Sequence, residues 1–370
     1  QGTMLQRVLI LVRSRNQISL IDMAHPVPHN LHLYIHGFQI RATSVRAKEV
    51  NRMTFVRNTW YVADWAANIG SKPRRRTVLG DDIVLFRTTN GDPVALRDRC
   101  PHRFLPLSQG EVKGDEIRCG YHGLVFDHTG QCTHAPGQDT VPPNAHVASY
   151  PVADRMGLTW VWMGLAEKAD TGDIFDFPQF HDPAWGTGYG DALFIDANYL
   201  LLCDNLCDPT HVVYVHPTTL GVPGEKSEKV TYERTDWGVK TTRWTLDGEP
   251  IAFHKKFGNF FGNVDRWQFY LMYIPSVAII DFGGAATGSG AHEGRRDDCI
   301  QVYSCHFMTP ETETTTYDYW LHVRNFATGD DGVTEGISDQ FRMAFAEDKA
   351  VLEAIQIEEE RDGTNDRVGL

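Results

Sequence analysis

The hydrophobic pattern changes period along the chain. Beyond residue 53 it reads as short strands: an apolar run from Ile83 reaches Thr89, and Pro93–Arg97 follows on the far side of Asn90-Gly91. Asn and Gly both tolerate positive φ, so this pair between two apolar runs predicts a β-hairpin. A second turn, Asp127–Gly130, follows Leu124–Phe126, and Leu158–Trp162 reads as another strand. Short strands with frequent turns predict a small antiparallel sandwich or barrel. Asp170 to Asp182 reads as a linker. After it, Tyr199 to His216 is helical in composition and several strand-like runs lie between Gly238 and Trp320. Helical periodicity runs from Asp339 to Glu360, and Ile337, Phe341, Phe345, Asp348, Leu352 and Ile355 recur at steps of three and four. Such positions form one stripe of a helix surface. No internal repeat interrupts the sequence.

Composition narrows the class. The 370 residues are 42% hydrophobic and 22% charged, a globular balance, and this length predicts two or three domains. A net charge of −13 excludes a duplex-binding surface, so no nucleic-acid partner is expected. The longest early apolar run, Val8–Val12, is far short of the roughly 20 residues of a membrane span, so no membrane role is expected. Seven cysteines are an odd number and too sparse for a disulfide framework. Arg13 and Arg15 interrupt the early apolar stretch and make it a poor secretory signal. A cytoplasmic protein with reduced thiols is expected. Residues 1–52 carry seven Lys or Arg against two acidic residues and read as an N-terminal extension, non-native or poorly ordered. Its His25, His29, His32 and His36 have helical spacing, but Pro26 and Pro28 break any helix there.

Two constellations carry chemistry. Cys100-Pro-His102 and Cys119-Gly-Tyr-His122, sixteen residues apart, place two thiolates and two imidazoles in short loops. A Cys₂His₂ zinc site would use this set, as would a Rieske [2Fe–2S] cluster with two Cys on one iron and two His on the other. The tight Pro- and Gly-containing loops of a β-rich region favour the cluster. The other thiols, Cys132, Cys203, Cys207, Cys299 and Cys305, lack histidine-paired spacing and read as buried apolar side chains. In the second constellation, Asp204-Asn205-Leu-Cys-Asp208-Pro-Thr-His211 leads to His216. Five residues on an ideal helix separate the two imidazoles by about 140°. Converging on one ion therefore requires a helix that is distorted or ends between them, which Pro209 and Pro217 favour. Asp348 supplies the third group, because a carboxylate within an apolar stripe is costly unless paired or metal-bound. Two His and one carboxylate make the facial triad of non-haem Fe(II). Pairing of Asp348 with Arg342 or Lys349 is the alternative.

At these residues the sequence resembles the Rieske non-haem iron oxygenases, most closely the vanillate and dicamba O-demethylase oxygenase components. The similarity runs from Met53 to about Gln356 and includes Cys100-Pro-His-Arg-Phe, Cys119-x-Tyr-His-Gly, Asp204-Asn-Leu-x-Asp-x-x-His211-x-x-x-x-His216 and Glu347-Asp348-Lys349. The resemblance implies an α+β fold: a Rieske β-sandwich over 53–165, then a helix-grip antiparallel sheet with covering helices over 166–370. It implies a [2Fe–2S] cluster on Cys100, His102, Cys119 and His122, and a mononuclear non-haem Fe(II) on His211, His216 and Asp348. Asp208 would relay the electron to a cluster histidine of a neighbouring subunit in a homotrimer, although capping of the turn before Pro209 is the plainer role. Asn205 would sit beside the iron and His306 against the substrate. The Asn expected near Pro275 and the Trp expected near Asp339 are absent, which leaves the substrate open among aromatic acids and methoxylated aromatics. The implied activity is hydroxylation or O-demethylation with O₂ and electrons from an NAD(P)H-dependent flavin or ferredoxin reductase, since no dinucleotide fingerprint follows a strand here. A Rieske electron carrier without oxygenase activity and a zinc-stabilised binding module are the competing readings.

Overall fold

The structure, a computed structural model, describes residues 8–14, 17–23, 32–35, 38–41, 55–217, 220, 229–258, 260–296 and 298–362. The chain divides into two compact units, residues 1–52 and 53–370. In the first, β1 (Val8–Ser14) pairs with β2 (Gln17–Met23) and β3 (His32–Ile35) with β4 (Phe38–Arg41), both antiparallel. His32 opens a strand rather than a helix, while His25, His29 and His36 lie outside the described residues.

The second unit begins with β5 (Trp60–Trp65), β6 (Arg74–Val78), β7 (Asp81–Arg87), β8 (Pro93–Arg97), β9 (Glu111–Lys113) and β10 (Glu116–Arg118). It continues through β11 (Val125–Phe126), β12 (Cys132–His134), β13 (Ser149–Tyr150), β14 (Val152–Arg155) and β15 (Leu158–Trp162). They form antiparallel sheets in the orders β12-β11-β10-β9, β13-β8-β7-β6 and β14-β15-β5. The Asn-Gly hairpin forms as its turn chemistry requires: Arg87 pairs with Pro93 and Gly91 takes φ +89°. At the Asp127 turn the carboxylate accepts the Thr129 and Gln131 N–H groups, and Gly130 takes φ +83°. The stretch from Asp170 to Asp182 is more than a linker. It carries a capped 3-10 turn and helix α1 (Pro178–His181), and it buries Ile174 and Phe177 in the core.

The rest is built on a seven-stranded antiparallel sheet. Its strands are β16 (Gly186–Ile195), β17 (Thr231–Arg234), β18 (Gly238–Gly248), β19 (Val264–Tyr273), β20 (Val277–Ala286), β21 (Cys299–Pro310) and β22 (Thr316–Arg324). Their order is β16-β22-β21-β20-β19-β18-β17. Side chains alternate between the two faces of a strand, and both faces here are covered. Ile279, Cys305, Phe307, Tyr319 and Leu321 point to one side and pack with Trp60, Trp160 and Trp162 of the first sheets. Tyr319 also donates its hydroxyl to the Ala63 carbonyl (2.8 Å) and Thr309 to that of Val62 (2.6 Å). On the opposite side, Tyr270, Ile280, Met308 and Trp320 pack under helices α2 (Tyr199–Asn205) and α5 (Asp331–Asp362). Two shorter helices, α3 (Val212–Val215) and α4 (Ala252–Phe257), complete the unit. The architecture is α+β, as expected. Among the described residues no helix is long and apolar enough to cross a membrane.

The α5 stripe is buried at Ile337, Phe341, Ala344, Phe345, Asp348 and Leu352, but Ile355 is 39% exposed and Gln356 takes the next inward position. Of the thiols expected to be buried apolar groups, Cys132, Cys203 and Cys305 are, whereas Cys207 and Cys299 are only partly covered.

Candidate active site

The first constellation sits on two loops of the same shape. Cys100 N–H donates to Leu105 O and Phe104 N–H to Cys100 O (both 2.9 Å); Cys119 N–H donates to Leu124 O (2.8 Å) and Gly123 N–H to Cys119 O (3.1 Å). The fifth residue of each loop has positive φ, +64° at Phe104 and +74° at Gly123. Glycine adopts this without penalty, whereas Phe104 must be held there, and Arg99 stacks on its ring at 3.9 Å. Both cysteines are buried, with the Cys119 thiol against that of Cys100. Burial, reinforced by Cys119, pushes the Cys100 thiol up to about 11, opposed by the His102 and Arg103 backbone N–H groups. The His102 and His122 rings are exposed, 4.5 Å apart. Inner thiols and outer imidazoles fit a cluster with Cys₂ on one iron and His₂ on the other. A closed structural zinc site would enclose all four ligands.

The second constellation forms where the helical stretch breaks. Helix α2 ends at Asn205, and Asp208 Oδ1 accepts the Thr210 N–H (2.7 Å) and hydroxyl (2.6 Å), turning the chain into α3. His211 occupies the N-cap of α3 and His216 its C-cap, where the backbone leaves helical geometry at φ −114°, ψ +45°. That exit overcomes the 140° separation of an ideal helix, and the two rings lie 5.2 Å apart. Asp348 Oδ1 stands 3.1 Å from His216 Nε2, 3.5 Å from His211 Nε2 and 2.9 Å from Asn205 Nδ2, which donates to it. One donor atom from each of His211, His216 and Asp348 lies within 4.8 Å of the others. Asp348 pairs with neither Arg342, which binds Asp191, Glu335 and Asp339, nor Lys349, which binds Glu353 and the Phe194 carbonyl.

The donor set fits an Fe(II) ion: two imidazoles and one carboxylate, His216 and Asp348 buried and His211 half-buried, with a further side open to a cavity. Glu347 Oε2 lies 2.7 Å from His216 Nδ1, an outer contact that orients Nε2 inward. Burial lowers the pKa of His211. Burial opposes protonation of His216 too, but hydrogen bonds and charge from Asp348 and Glu347 outweigh it and raise that pKa. Glu347 stands in the Glu347-Asp348-Lys349 motif, but sequence reasoning assigned it no role, because an acid beside Asp348 carries no periodic signal and faces His216 only once α5 docks.

The cavity beside the triad measures about 460 Å³. Phe282, Phe341, Phe345, Ile280 and Val212 supply apolar walls, and His306 lines it from the sheet. His306 is buried, with Ser304 Oγ 2.9 Å from Nε2 and Asp318 Oδ2 2.7 Å from Nδ1. Asp318 was not legible in the sequence, since only strand register brings β21 and β22 together, and Ser304, two residues before His306 on β21, looked like an ordinary strand position.

Two family models match the chain: the Rieske [2Fe-2S] domain over residues 59–151 and the vanillate O-demethylase oxygenase C-terminal domain over residues 195–370. A putative toluene-4-sulfonate monooxygenase system iron-sulfur subunit of Comamonas testosteroni is 44% identical over 305 residues, which cover 81% of this chain and 88% of the relative. The chain belongs to the Rieske non-haem iron oxygenases. The dicamba O-demethylase oxygenase component of Stenotrophomonas maltophilia is 37% identical, over 82% of this chain and 89% of that protein. A crystal structure of dicamba monooxygenase with non-heme iron and dicamba matches with a TM-score of 0.73 at 32% identity, covering 86% of this chain and 92% of that one. This Rieske oxygenase is accordingly an oxygenase component whose cofactors are a [2Fe–2S] cluster and a mononuclear non-haem iron.

Proposed function

We propose that Cys100, His102, Cys119 and His122 hold the cluster, and that His211, His216 and Asp348 hold the iron on which a small aromatic substrate is hydroxylated or O-demethylated. The observation that carries this reading is the largely buried triad opening onto an aromatic-lined cavity. A pure electron carrier has no use for such a cavity. When bound, the iron activates O₂ and the cluster supplies electrons singly. The chain's own residues do the rest. Glu347 fixes the His216 ring through Nδ1, and Asn205 holds the Asp348 carboxylate through its N–H. His306, oriented by Asp318, faces the substrate. Asp208 has two functions in this reading: Oδ1 caps the turn into His211, and its other oxygen accepts the cluster histidine of the next subunit in a homotrimer. Residues 53–165 form the cluster domain and 166–370 the catalytic domain. An NAD(P)H-dependent flavin or ferredoxin reductase supplies the electrons, in the cytoplasm. The test is oxygen uptake by the iron-loaded, pre-reduced protein over a panel of methoxylated, carboxylated and sulfonated aromatics. Uptake dependent on one class supports the reading. No uptake with any of them, or zinc in place of iron and acid-labile sulfide, refutes it.

A further inference from the structure

One wall of the cavity is basic. Residues i and i+2 of a strand share a face, and Arg243 of β18 lies opposite Gln268 of β19, as Thr245 lies opposite Arg266. Both arginines therefore project from the helix-covered face into the cavity, where His254 of α4 joins them. Arg243 is 7% exposed; its Nη1 donates to the Pro209 carbonyl (3.1 Å), its Nε is buried without a partner, and among the described residues no carboxylate lies within ion-pair distance. His254 is 3% exposed. Its ring approaches the Gly283 backbone on one side, and no side chain hydrogen-bonds either ring nitrogen.

Gly284 makes room for this arrangement. A Cβ there would stand 2.5 Å from His254 Nε2 and 3.5 Å from Arg266 Cγ, so the imidazole and the arginine flank one bare backbone position. Burial lowers Arg266 to about 10 and His254 to about 4, leaving His254 neutral at pH 7 with one N–H to donate. The buried Arg243 guanidinium, with no counter-charge beside it among the described residues, is costly. The same is true of a buried imidazole nitrogen left without a partner. An anion placed here answers both. His306 is the weaker candidate for that role, since both its nitrogens already have partners in Ser304 and Asp318.

We propose that the substrate is an aromatic acid whose anionic head group, carboxylate or sulfonate, seats against Arg243 and His254 beside Arg266, while the ring crosses the apolar cavity toward His211, His216 and Asp348. The inference rests on the aromatic-oxygenase reading above and adds the charge and orientation of the substrate. Three para-disubstituted probes of similar size separate the cases: 4-methylbenzoate, toluene-4-sulfonate and neutral p-xylene. Their binding to the iron-loaded, cluster-intact protein is measured by anaerobic calorimetry. At least one anion should bind roughly tenfold or more tighter than p-xylene, a difference of about 1.4 kcal/mol, and the stronger of the two identifies the head group. Arg243→Gln, with its iron content verified, should bring that ratio toward one, and Arg243→Lys should keep most of it. Arg266→Gln serves as a second variant that leaves the Pro209 contact in place, and should narrow the ratio as well. Equal binding of p-xylene and both anions by the wild type overturns the proposal while leaving the aromatic reading intact, as does an unchanged ratio in both glutamine variants. Failure of all three probes to bind overturns the proposal, and the aromatic reading falls with it only when the oxygen-uptake panel is negative as well.

Discussion

Replacing Asp208 separates a capping role from an electron-relay role. Its Oδ1 accepts two hydrogen bonds from Thr210, at 2.7 and 2.6 Å, and its second oxygen has no hydrogen-bond partner within the described chain. Asparagine keeps the Oδ1 acceptor and turns the second oxygen into an N–H donor. The turn should therefore survive in Asp208→Asn with a loss below about 0.5 kcal/mol, whereas Asp208→Ala removes both bonds and should cost about 1–2 kcal/mol. The relay behaves differently. A cluster imidazole offers an N–H, which needs an acceptor, and neither the amide nitrogen nor a methyl group provides one. Both variants should fall to near-zero substrate-dependent oxygen uptake with an external reductase. Urea unfolding measures stability, metal and sulfide analysis the occupancy of both centres, and the oxygen electrode turnover. Asp208→Asn with full metal content and wild-type turnover would refute the relay and leave only the cap.

Three further outcomes follow from the geometry. Glu347→Ala removes the partner of His216 Nδ1 and should weaken iron retention by about 10- to 100-fold, measured by competition with a chelator; unchanged retention removes Glu347 from the outer shell. Gly190→Ala would put a Cβ 2.2–2.4 Å from the buried Trp320 ring, an overpacking that should cost about 1–3 kcal/mol in denaturant unfolding. His322 is fully buried 3.1 Å from Ser338 Oγ; burial, with Arg324 adding to it, lowers it to about 4 from an ordinary 6.5. Below pH 6.5 the unfolded chain takes up this proton before the folded one does, so stability falls as pH drops toward 4, by about 3 kcal/mol from this residue. His322→Asn should flatten that part of the urea midpoint against pH profile, and an equally steep profile in the variant would disprove the assignment.

Features that depend on a few adjacent residues were legible in the sequence. The Asn90-Gly91 hairpin, the Asp127 turn and the two Cys-His loops follow from local backbone chemistry, so their spacing carries most of the information about their shapes. The inward position of Asp348 was also readable, because a 3.6-residue period assigns a helix face from sequence alone. The same period put Ile355 on the buried face, and the structure does not. The stripe records which residues share a side of α5, whereas burial depends on what lies beneath that turn, and there Gln356 is the residue covered.

The active site was decided by tertiary structure. His211 and His216 converge only because α3 ends at His216, and Asp348 meets them only when a helix more than a hundred residues later docks on the sheet. Strand alternation says which residues share a face but not which face is helix-covered, so Arg243, Ser304 and Asp318 looked like ordinary strand positions. Closing loops of that length costs entropy that local propensity cannot supply; it is offset by the common apolar core under α2 and α5. The sequence thus determined the candidate ligands and their loops, and the packing of helices on a sheet covered on both faces determined which of its polar side chains meet in one cavity.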